Sequence, residues 1–210
     1  MPTAIIYDCE FLTNADAPRR FWCGPMDPDP TVVQIGAVRL ALEDGFSFGE
    51  ELTPDATFET VIRPRDRTGG PAKLDPHFTW LTGITPERVE MEGIPLEDAL
   101  AKFEAFAGTD TCWSWGKDEI NMLPISCWVE GIAPPMRPER FGNAAALLLK
   151  TDLDPEAVGR MRSNTICEAL GIETPPLPAH DALGDAKSVA YALQHLLREG
   201  RLRAEHFGSR

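Results

Sequence analysis

The stretch TAIIYDCEFL, residues 3–12, has the pattern of a buried β-strand that carries two acids. Residues 5–7 are types that favour strands, and residues 11–12 continue the apolar character. Asp8 and Glu10 are two residues apart, so on a strand both side chains point to the same face. Such a buried pair is costly unless a cation neutralises it, and Mg²⁺ and Mn²⁺ prefer oxygen ligands of this kind. The alternative is a strand end that points both acids into water.

Two further strands follow the first one. Residues 31–41 (TVVQIGAVRLA) and residues 56–64 (ATFETVIRP) have strand composition, whereas residues 14–30 are too rich in Pro, Asp and Arg for a regular element. Three strands this close in sequence favour a meander of antiparallel strands. The sequence therefore predicts a sheet that begins with an antiparallel unit.

Helical patterns dominate the rest of the chain. One helix is predicted to begin after Thr85 as N-cap, and another to end at Gly108. A short buried strand is predicted within residues 109–116, then a helix over 117–131 that is broken at Pro124. Further helices are predicted over 143–150, 156–172 and 180–200. Strands followed by helices that alternate with more strands indicate one α/β domain over residues 1–210, with a mixed sheet.

Composition narrows the function classes. A hydrophobic content of 43% suits a globular chain with a substantial core, and no apolar run is long enough to span a membrane. Because the N-terminus also lacks a signal-peptide pattern, we expect a cytoplasmic protein with no membrane partner. Five scattered cysteines without a CxxC pair argue against a disulfide framework and against a structural zinc site.

The net charge of −13 argues against a broad cationic surface for duplex DNA. A chain of this charge either has no contact with nucleic acid or meets phosphates locally, through bound cations and a few arginines. A cluster of carboxylates that chelates divalent cations would itself add negative formal charge.

A second acidic position lies in CWSWGKDEINML, residues 112–123. Asp118 and Glu119 stand at the predicted start of a helix that follows a Trp-rich strand. Helix capping and the helix dipole also explain acids at such a place.

A third acidic position lies in PLPAHDALGDAKSVAYAL, residues 176–193. His180 precedes the helix, and Asp185 lies one turn inside it at the end of the stripe of apolar residues that includes Val189 and Leu193. An acid on the packed side needs a partner, whereas Asp181 is better placed for ordinary capping.

The combination of these three motifs resembles the DEDDh 3′-to-5′ exonuclease family, which includes DnaQ-like and ribonuclease T-like proteins. Residues 32–40 (VVQIGAVRL), 80–89 (WLTGITPERV) and 162–172 (RSNTICEALGI) are similar to further segments of that family. The resemblance covers most of the chain. It implies an RNase H-like fold, in which helices flank both faces of a mixed central sheet.

The resemblance also implies a two-metal phosphodiesterase. Asp8, Glu10, Asp185 and one acid of the second motif would hold two Mg²⁺ or Mn²⁺ ions, which stabilise the leaving oxygen and activate a water. His180 would be the general base, a role that suits histidine because it titrates near neutral pH.

The second motif leaves two residues open. In many relatives two residues separate a Trp-Gly pair from the acid, and that register selects Glu119. The apolar phase of Ile120, Met122 and Leu123 agrees with it. The family uses aspartate at this position, however, and on residue identity we prefer Asp118 as the catalytic metal ligand, with Glu119 as the alternative.

The resemblance implies substrate contacts as well. Many members have threonine after the glutamate, where this chain has Phe11 and Leu12, so these two are candidates for contact with a nucleotide. The alternative is that both finish the strand in the core. The same correspondence gives Cys9, Leu81 and Thr82 as substrate-binding candidates.

The loop of residues 14–30 combines basic and aromatic side chains, Arg19, Arg20, Phe21 and Trp22. This mixture suits contacts with phosphates and bases, and a solvated loop with one buried Trp is the alternative. We interpret Trp113 and Trp115 as core residues.

The leading hypothesis is an enzyme that removes nucleotides from the 3′ end of single-stranded RNA or DNA. Two alternatives are a nucleic-acid-binding or regulatory protein that has lost activity on the same fold, and an unrelated metal-dependent hydrolase of small phosphoesters. Some relatives form homodimers, although nothing in this sequence selects that state.

Overall fold

The computed structural model of the chain describes residues 2–43 and 56–208, and its strands within these ranges form one mixed sheet. The strands are β1 (Thr3–Phe11), β2 (Val32–Ala41), β3 (Thr57–Val61), β4 (Cys112–Ser114) and β5 (Phe141–Asn143). Their order is β3-β2-β1-β4-β5. The pairs β1–β2 and β2–β3 are antiparallel, and the pairs β1–β4 and β4–β5 are parallel. The predicted antiparallel meander and mixed sheet are confirmed.

Helices cover both faces of this sheet. Those of the described ranges are α1 (Pro76–Thr82), α2 (Pro86–Glu92), α3 (Leu96–Ala107), α4 (Asp118–Glu130), α5 (Ala144–Leu148), α6 (Pro155–Arg160), α7 (Ile166–Ala169) and α8 (Ala182–Arg198). Thr85 caps α2 and Gly108 ends α3, as predicted. None of these helices has both the length and the apolar character that crossing a bilayer requires.

The alternation of side chains along β1 divides the core into two parts. Ile6 packs in the same cluster as Val189 and Leu193 of α8, whereas Tyr7 packs in the cluster that contains Leu100 and Phe103 of α3. Because side chains alternate along a strand, residues with even numbers face α8. The two acids of β1 therefore continue the face that α8 covers.

A glycine in β2 brings α8 close to the sheet. Gly36 pairs with Asp8 in the β1–β2 register. A Cβ atom at Gly36 would lie 2.1 Å from the backbone nitrogen of Leu183, so the first turn of α8 rests directly on the β2 backbone. Only glycine permits this approach without displacing α8.

Two predictions about helices are wrong. The helix α4 continues through Pro124 instead of breaking there. Proline removes one backbone donor, but Met122 and Cys127 on either side are buried in the core, and their packing outweighs the loss. The predicted helix over 156–172 is divided into α6 and α7, with an extended residue, Met161, at the end of α6.

The structure also contains short elements that the sequence patterns did not predict. Helix α1 and strand β5 were not predicted as separate elements, because three to seven residues carry too little periodicity. Gly142 of β5 lies against the ring of Trp113, which is 7% exposed and packs in the core beside α8, as predicted. Trp115 is partly buried against the same cluster. All cysteines are free, as predicted, and only Cys23 is exposed.

Candidate active site

Four carboxylates lie buried at one edge of the sheet. Asp8 and Glu10 come from β1, Glu119 from the first turn of α4 and Asp185 from the first turn of α8. Their exposed fractions are 7%, 9%, 6% and 5%. The parallel strands β1 and β4 end at the same edge, and α4 begins shortly after β4, which brings Glu119 towards the acids of β1. The edge at the carboxyl ends of parallel strands is the usual position of a site in an open α/β sheet.

His180 adjoins this cluster. Ligand atoms of Glu10, His180 and Asp185 all lie within 4.8 Å of one another. The half-buried His180 precedes the N-cap of α8 and has a left-handed backbone, with φ of 55°. Histidine adopts this conformation more often than most residues with a Cβ atom. The site therefore combines buried acids with one imidazole.

Burial raises the pKa of each acid of the cluster. Burial is the main cause that holds the pKa of Asp8 well above its usual range. The negative charges of Glu119 and Glu10 raise this pKa further. Burial and the carboxylate of Asp185 raise the pKa of Glu10 to about 8. Burial likewise raises the pKa of Glu119 and that of Asp185 to about 7. Negative charge on these acids is therefore costly unless a proton or a cation neutralises it.

No lysine or arginine of the described ranges forms an ion pair with any of these carboxylates. The Oε2 atom of Glu119 is buried and has no hydrogen-bond partner in the same ranges. Buried carboxylates without a counter-charge fit divalent cations, which take several oxygen ligands. The residues present are therefore suitable for a metal centre.

The two acids of the second motif point in different directions. Glu119 is buried and its charge raises the pKa of Asp8, whereas Asp118 is exposed and lines an outer groove beside Phe21 and Trp22. Consecutive helical residues differ in direction by about 100°, so only one of the two can face the cluster. The preference for Asp118 on residue identity is not supported by this geometry, which favours Glu119.

Asp181 is the N-cap of α8, in agreement with the capping prediction. Its Oδ1 atom accepts a hydrogen bond of 2.9 Å from the backbone nitrogen of Gly184. The hydroxyl of Ser163 donates to Asp185 at 3.5 Å, so Asp185 also has a contact outside the acid cluster.

Gln34 is a site residue that the sequence analysis missed. It is fully buried opposite Glu10 in the β1–β2 register. Its Oε1 atom accepts from the backbone nitrogen of Ala182 at 3.1 Å, and its Nε2 atom donates to Asp181 at 3.1 Å and to Glu59 at 2.9 Å. Gln34 therefore fastens the start of α8 to the sheet. The sequence feature that could have identified Gln34 is its amide side chain within the otherwise apolar run VVQIGAV.

We expect Gln34→Leu to destabilise the protein and to lower any activity of the site. The substitution leaves buried polar groups at the start of α8 without partners, which costs about 1–3 kcal/mol in the free energy of unfolding. Loss of a group that orients the site lowers activity by roughly 10- to 100-fold. Urea denaturation and steady-state kinetics measure both effects.

Gln194→Leu is the matched control, because both polar atoms of the buried Gln194 side chain lack hydrogen-bond partners in the described ranges. Its replacement removes no hydrogen bond and should leave the protein equally stable or more stable. Equal losses in the two variants would show that Gln34 has no special role in holding α8.

The substrate-binding candidates differ in their exposure. Cys9 and Leu12 have buried side chains, 3% and 2% exposed, in the core, so only their backbones could reach a nucleotide. Phe11, Leu81 and Thr82 are half-buried. Helix α1 lies near the end of β1, because Leu12 and Phe78 share a hydrophobic cluster.

The hydroxyl of Thr82 already donates to the backbone carbonyl of Phe78 at 2.9 Å. Phe11 packs edge-on against Trp22, with ring centroids 5.5 Å apart. Phe11, Leu81 and Thr82 therefore stay the side-chain candidates for substrate contact.

The mixed sheet with helices on both faces is the RNase H-like α/β fold, as predicted. Similar solved structures include the nuclease domain of 3′hExo, described as a DEDDh family member bound to rAMP. It has a TM-score of 0.74 and 20% identity, over 96% of this chain and 94% of that domain. Cell-death related nuclease 4 (CRN-4) has a TM-score of 0.71 and 16% identity, over 95% of this chain and 65% of that one.

Exonuclease I of E. coli in complex with a dT13 oligonucleotide has a TM-score of 0.61 and 15% identity. The alignment covers 93% of this chain but only 41% of exonuclease I. No family model and no curated protein matches the sequence. The predicted resemblance to DEDDh exonucleases is therefore confirmed in the fold of the chain.

Proposed function

We propose that this protein is a metal-dependent 3′-to-5′ exonuclease that acts on single-stranded RNA or DNA. The observation that carries the proposal is the convergence, beside His180, of buried carboxylates that have no ion-pair partner within residues 2–43 and 56–208. The fold shared with a DEDDh family member gives further support. The cluster stands at the carboxyl edge of the sheet, where chemistry in an open α/β fold usually occurs.

In this proposal Asp8, Glu10, Glu119 and Asp185 hold two divalent cations, Mg²⁺ or Mn²⁺. When bound, such ions supply Lewis-acid stabilisation of charge on the phosphate oxygens and lower the pKa of a nearby water. The protein contributes a rigid set of oxygen donors, because β1, α4 and α8 each present an acid from a regular element. Asp118 has no role as a ligand in this arrangement.

His180 is the general base of the proposed reaction. It accepts a proton from the attacking water while the water oxygen bonds to phosphorus. The bond between phosphorus and the 3′ oxygen of the preceding nucleotide breaks, and a nucleoside 5′-monophosphate leaves. The neighbouring carboxylates of Glu10 and Asp185 stabilise the positive charge that the imidazole gains.

The central test is a 5′-labelled single-stranded oligonucleotide incubated with the protein and Mn²⁺ or Mg²⁺. The proposal predicts a ladder that shortens from the 3′ end and disappears with a chelator or in the Asp8→Asn variant. Tight binding of RNA or DNA without any shortening would instead indicate an inactive binding protein. Hydrolysis of small phosphoesters alone, without any ladder, would indicate a different hydrolase.

Divalent cations are expected to stabilise the protein more at pH 8 than at pH 5.5. Because the pKa values of Glu10 and Asp185 are raised to about 8 and about 7, these groups hold protons in the folded state that the unfolded chain has already released. Without metal, their contribution to stability is greatest at low pH and falls between about pH 4 and pH 8. Because metal binds the deprotonated carboxylates, it displaces these protons and removes the decline in stability with rising pH.

Thermal unfolding at both pH values, in chelator and in excess Mn²⁺, measures this difference. Each kcal/mol shifts the Tm by about 2–4 °C for a chain of this size. KCl at equal ionic strength separates specific binding from screening. A metal-induced shift in Tm that is equal at the two pH values would contradict a site built from these carboxylates.

A further inference from the structure

A groove with aromatic walls lies outside the acid cluster. We name it the outer aromatic groove; its volume is about 530 Å³. Residues that line it include Phe21, Trp22, Asp118, Asn121, Ile125 and Trp128. Phe21 is 82% exposed and Trp128 is 65% exposed, which is unusual for large aromatic side chains.

The outer aromatic groove adjoins the acid cluster along two elements. On α4, Asp118 lines the groove while the next residue, Glu119, belongs to the cluster. On the other side, Trp22 packs against Phe11, the residue that follows Glu10. The groove therefore lies beside the end of β1 and the start of α4, the two elements that carry three of the four acids.

The loop that carries Phe21 is built around one carboxylate. Asp27 accepts hydrogen bonds from Arg20 Nη2 at 2.5 Å, from the backbone nitrogen of Gly24 at 2.7 Å and from Asn14 at 3.2 Å. The bond from Arg20 lowers the pKa of Asp27 to about 2, so this carboxylate stays ionised at neutral pH. The loop is thereby fixed without covering the ring of Phe21.

The backbone of this loop is strained at its aromatic residues. Phe21 and Trp22 have φ values of 53° and 54°, in the left-handed region that bulky residues rarely adopt. The indole nitrogen of Trp22 donates to the carbonyl of Leu12 at 3.0 Å, which ties the loop to the end of β1. Strain of this kind persists where surrounding contacts enforce it and is concentrated at ligand sites.

Trp128, a second exposed aromatic residue of the groove, is also held by a contact. The guanidinium carbon of Arg67 lies 4.8 Å from the centroid of the Trp128 ring. This contact restrains the indole before any ligand binds, and a restrained aromatic side chain loses little entropy on binding.

The charge of the groove indicates which part of a ligand it takes. Asp118 places a carboxylate on the wall and the guanidinium of Arg67 lies against Trp128, so the groove has no excess of positive charge to hold phosphates. The amide of Asn121 offers both a donor and an acceptor to the edge of a base. The aromatic walls suit stacking, which tolerates any base sequence.

We propose that the outer aromatic groove binds bases of the single strand upstream of the scissile phosphate, by stacking on Phe21 and Trp128. The inference rests on the proposed exonuclease function and adds to it that the substrate strand is held by stacking more than by charge. Affinity for an oligonucleotide then depends only weakly on salt, because few phosphates are neutralised by cationic side chains.

The test compares Phe21→Ala and Trp128→Ala with the wild type on two substrates. One is a single-stranded 10-mer, and the other is the p-nitrophenyl ester of thymidine 5′-monophosphate, which is too short to reach the groove. Each variant should raise the KM for the 10-mer by roughly tenfold and leave kcat/KM for the ester unchanged. Trp128→Phe should restore most of the affinity, because it keeps an aromatic face.

Met91→Ala is the control for loss of an exposed apolar side chain, since Met91 is 78% exposed on α2 and lies outside the groove. A thermal melt of each variant confirms folding. The KM for the 10-mer should change by less than about fivefold between 50 and 200 mM KCl, as expected for a strand that releases about one counterion.

If Phe21→Ala and Trp128→Ala both hydrolyse the ester and also keep the wild-type KM for the 10-mer, the groove proposal is wrong. The proposed exonuclease function would not be affected by that result. A steep dependence of KM on salt would also overturn the groove proposal alone. A shift from dimer to monomer in sedimentation, with the KM unaffected, would assign the groove to a second copy of the chain. If neither substrate is hydrolysed by the wild type, the groove proposal fails together with the proposed function.

Discussion

Replacing Glu119 by glutamine is expected to lower kcat/KM on an oligonucleotide by about a thousandfold or more, whereas Asp118→Asn should change it by less than about fivefold. Glu119 is buried and interacts with Asp8, and glutamine keeps its shape while removing the charge that a cation needs. Asp118 is exposed on the outer side of the same helix turn. The two substitutions are at adjacent residues and each replaces a carboxylate by the corresponding amide, so each is the control for the other.

The metal-induced shift in Tm gives an independent measurement for this pair. It should shrink in Glu119→Gln and persist in Asp118→Asn, because only the first removes a proposed ligand. Without metal, Glu119→Gln should raise the Tm, since it removes a buried charge that has no ion-pair partner among the residues that the structure describes. Loss of activity in Asp118→Asn with Glu119→Gln active would restore the original preference for Asp118.

Replacing His180 by alanine should lower kcat by about 100- to 10,000-fold with little change in KM. The expected loss is confined to proton transfer, because the carboxylates that are proposed to bind metal remain in place. His206→Ala, at the far end of the chain, is the control for removing an imidazole.

The Mn²⁺-induced shift in Tm distinguishes a base from a ligand at position 180. If His180 is only a general base, His180→Ala leaves this shift unchanged. If His180 binds the metal together with Glu10 and Asp185, the substitution reduces the shift. Full activity of His180→Ala would contradict the base, and the protein would then need another proton acceptor.

Much of the fold was predictable because local patterns and tertiary contacts agree. The apolar run of β1 interrupted by acids at even positions indicated both a central strand and the common face on which the two acids lie. The start of α8 was equally informative, since capping accounts for Asp181 and leaves Asp185 on the packed side. These inferences need only the periods of a strand and a helix.

The remaining features depend on residues far apart in sequence. The hydrogen bond from Gln34 to Asp181 joins positions that are 147 residues apart, and no local pattern encodes such a pairing. Asp27 is one of several acids in a Pro-rich loop, and its central role becomes visible only once the loop is folded. Glu119 was recognised as an alternative, but residue identity outweighed the helical phase that the structure favours.

The contact at Gly36 has a consequence for how the protein tolerates change. Because the start of α8 rests on the bare backbone of β2, the distance between the acids of β1 and Asp185 is set by main-chain atoms. Substitutions among the apolar side chains further along α8 should therefore alter thermal stability without altering the spacing of the carboxylates. The spacing of the acids is therefore expected to be insensitive to substitutions in the core, because Gln34 and Gly36 fix the start of α8 to the sheet independently of those side chains.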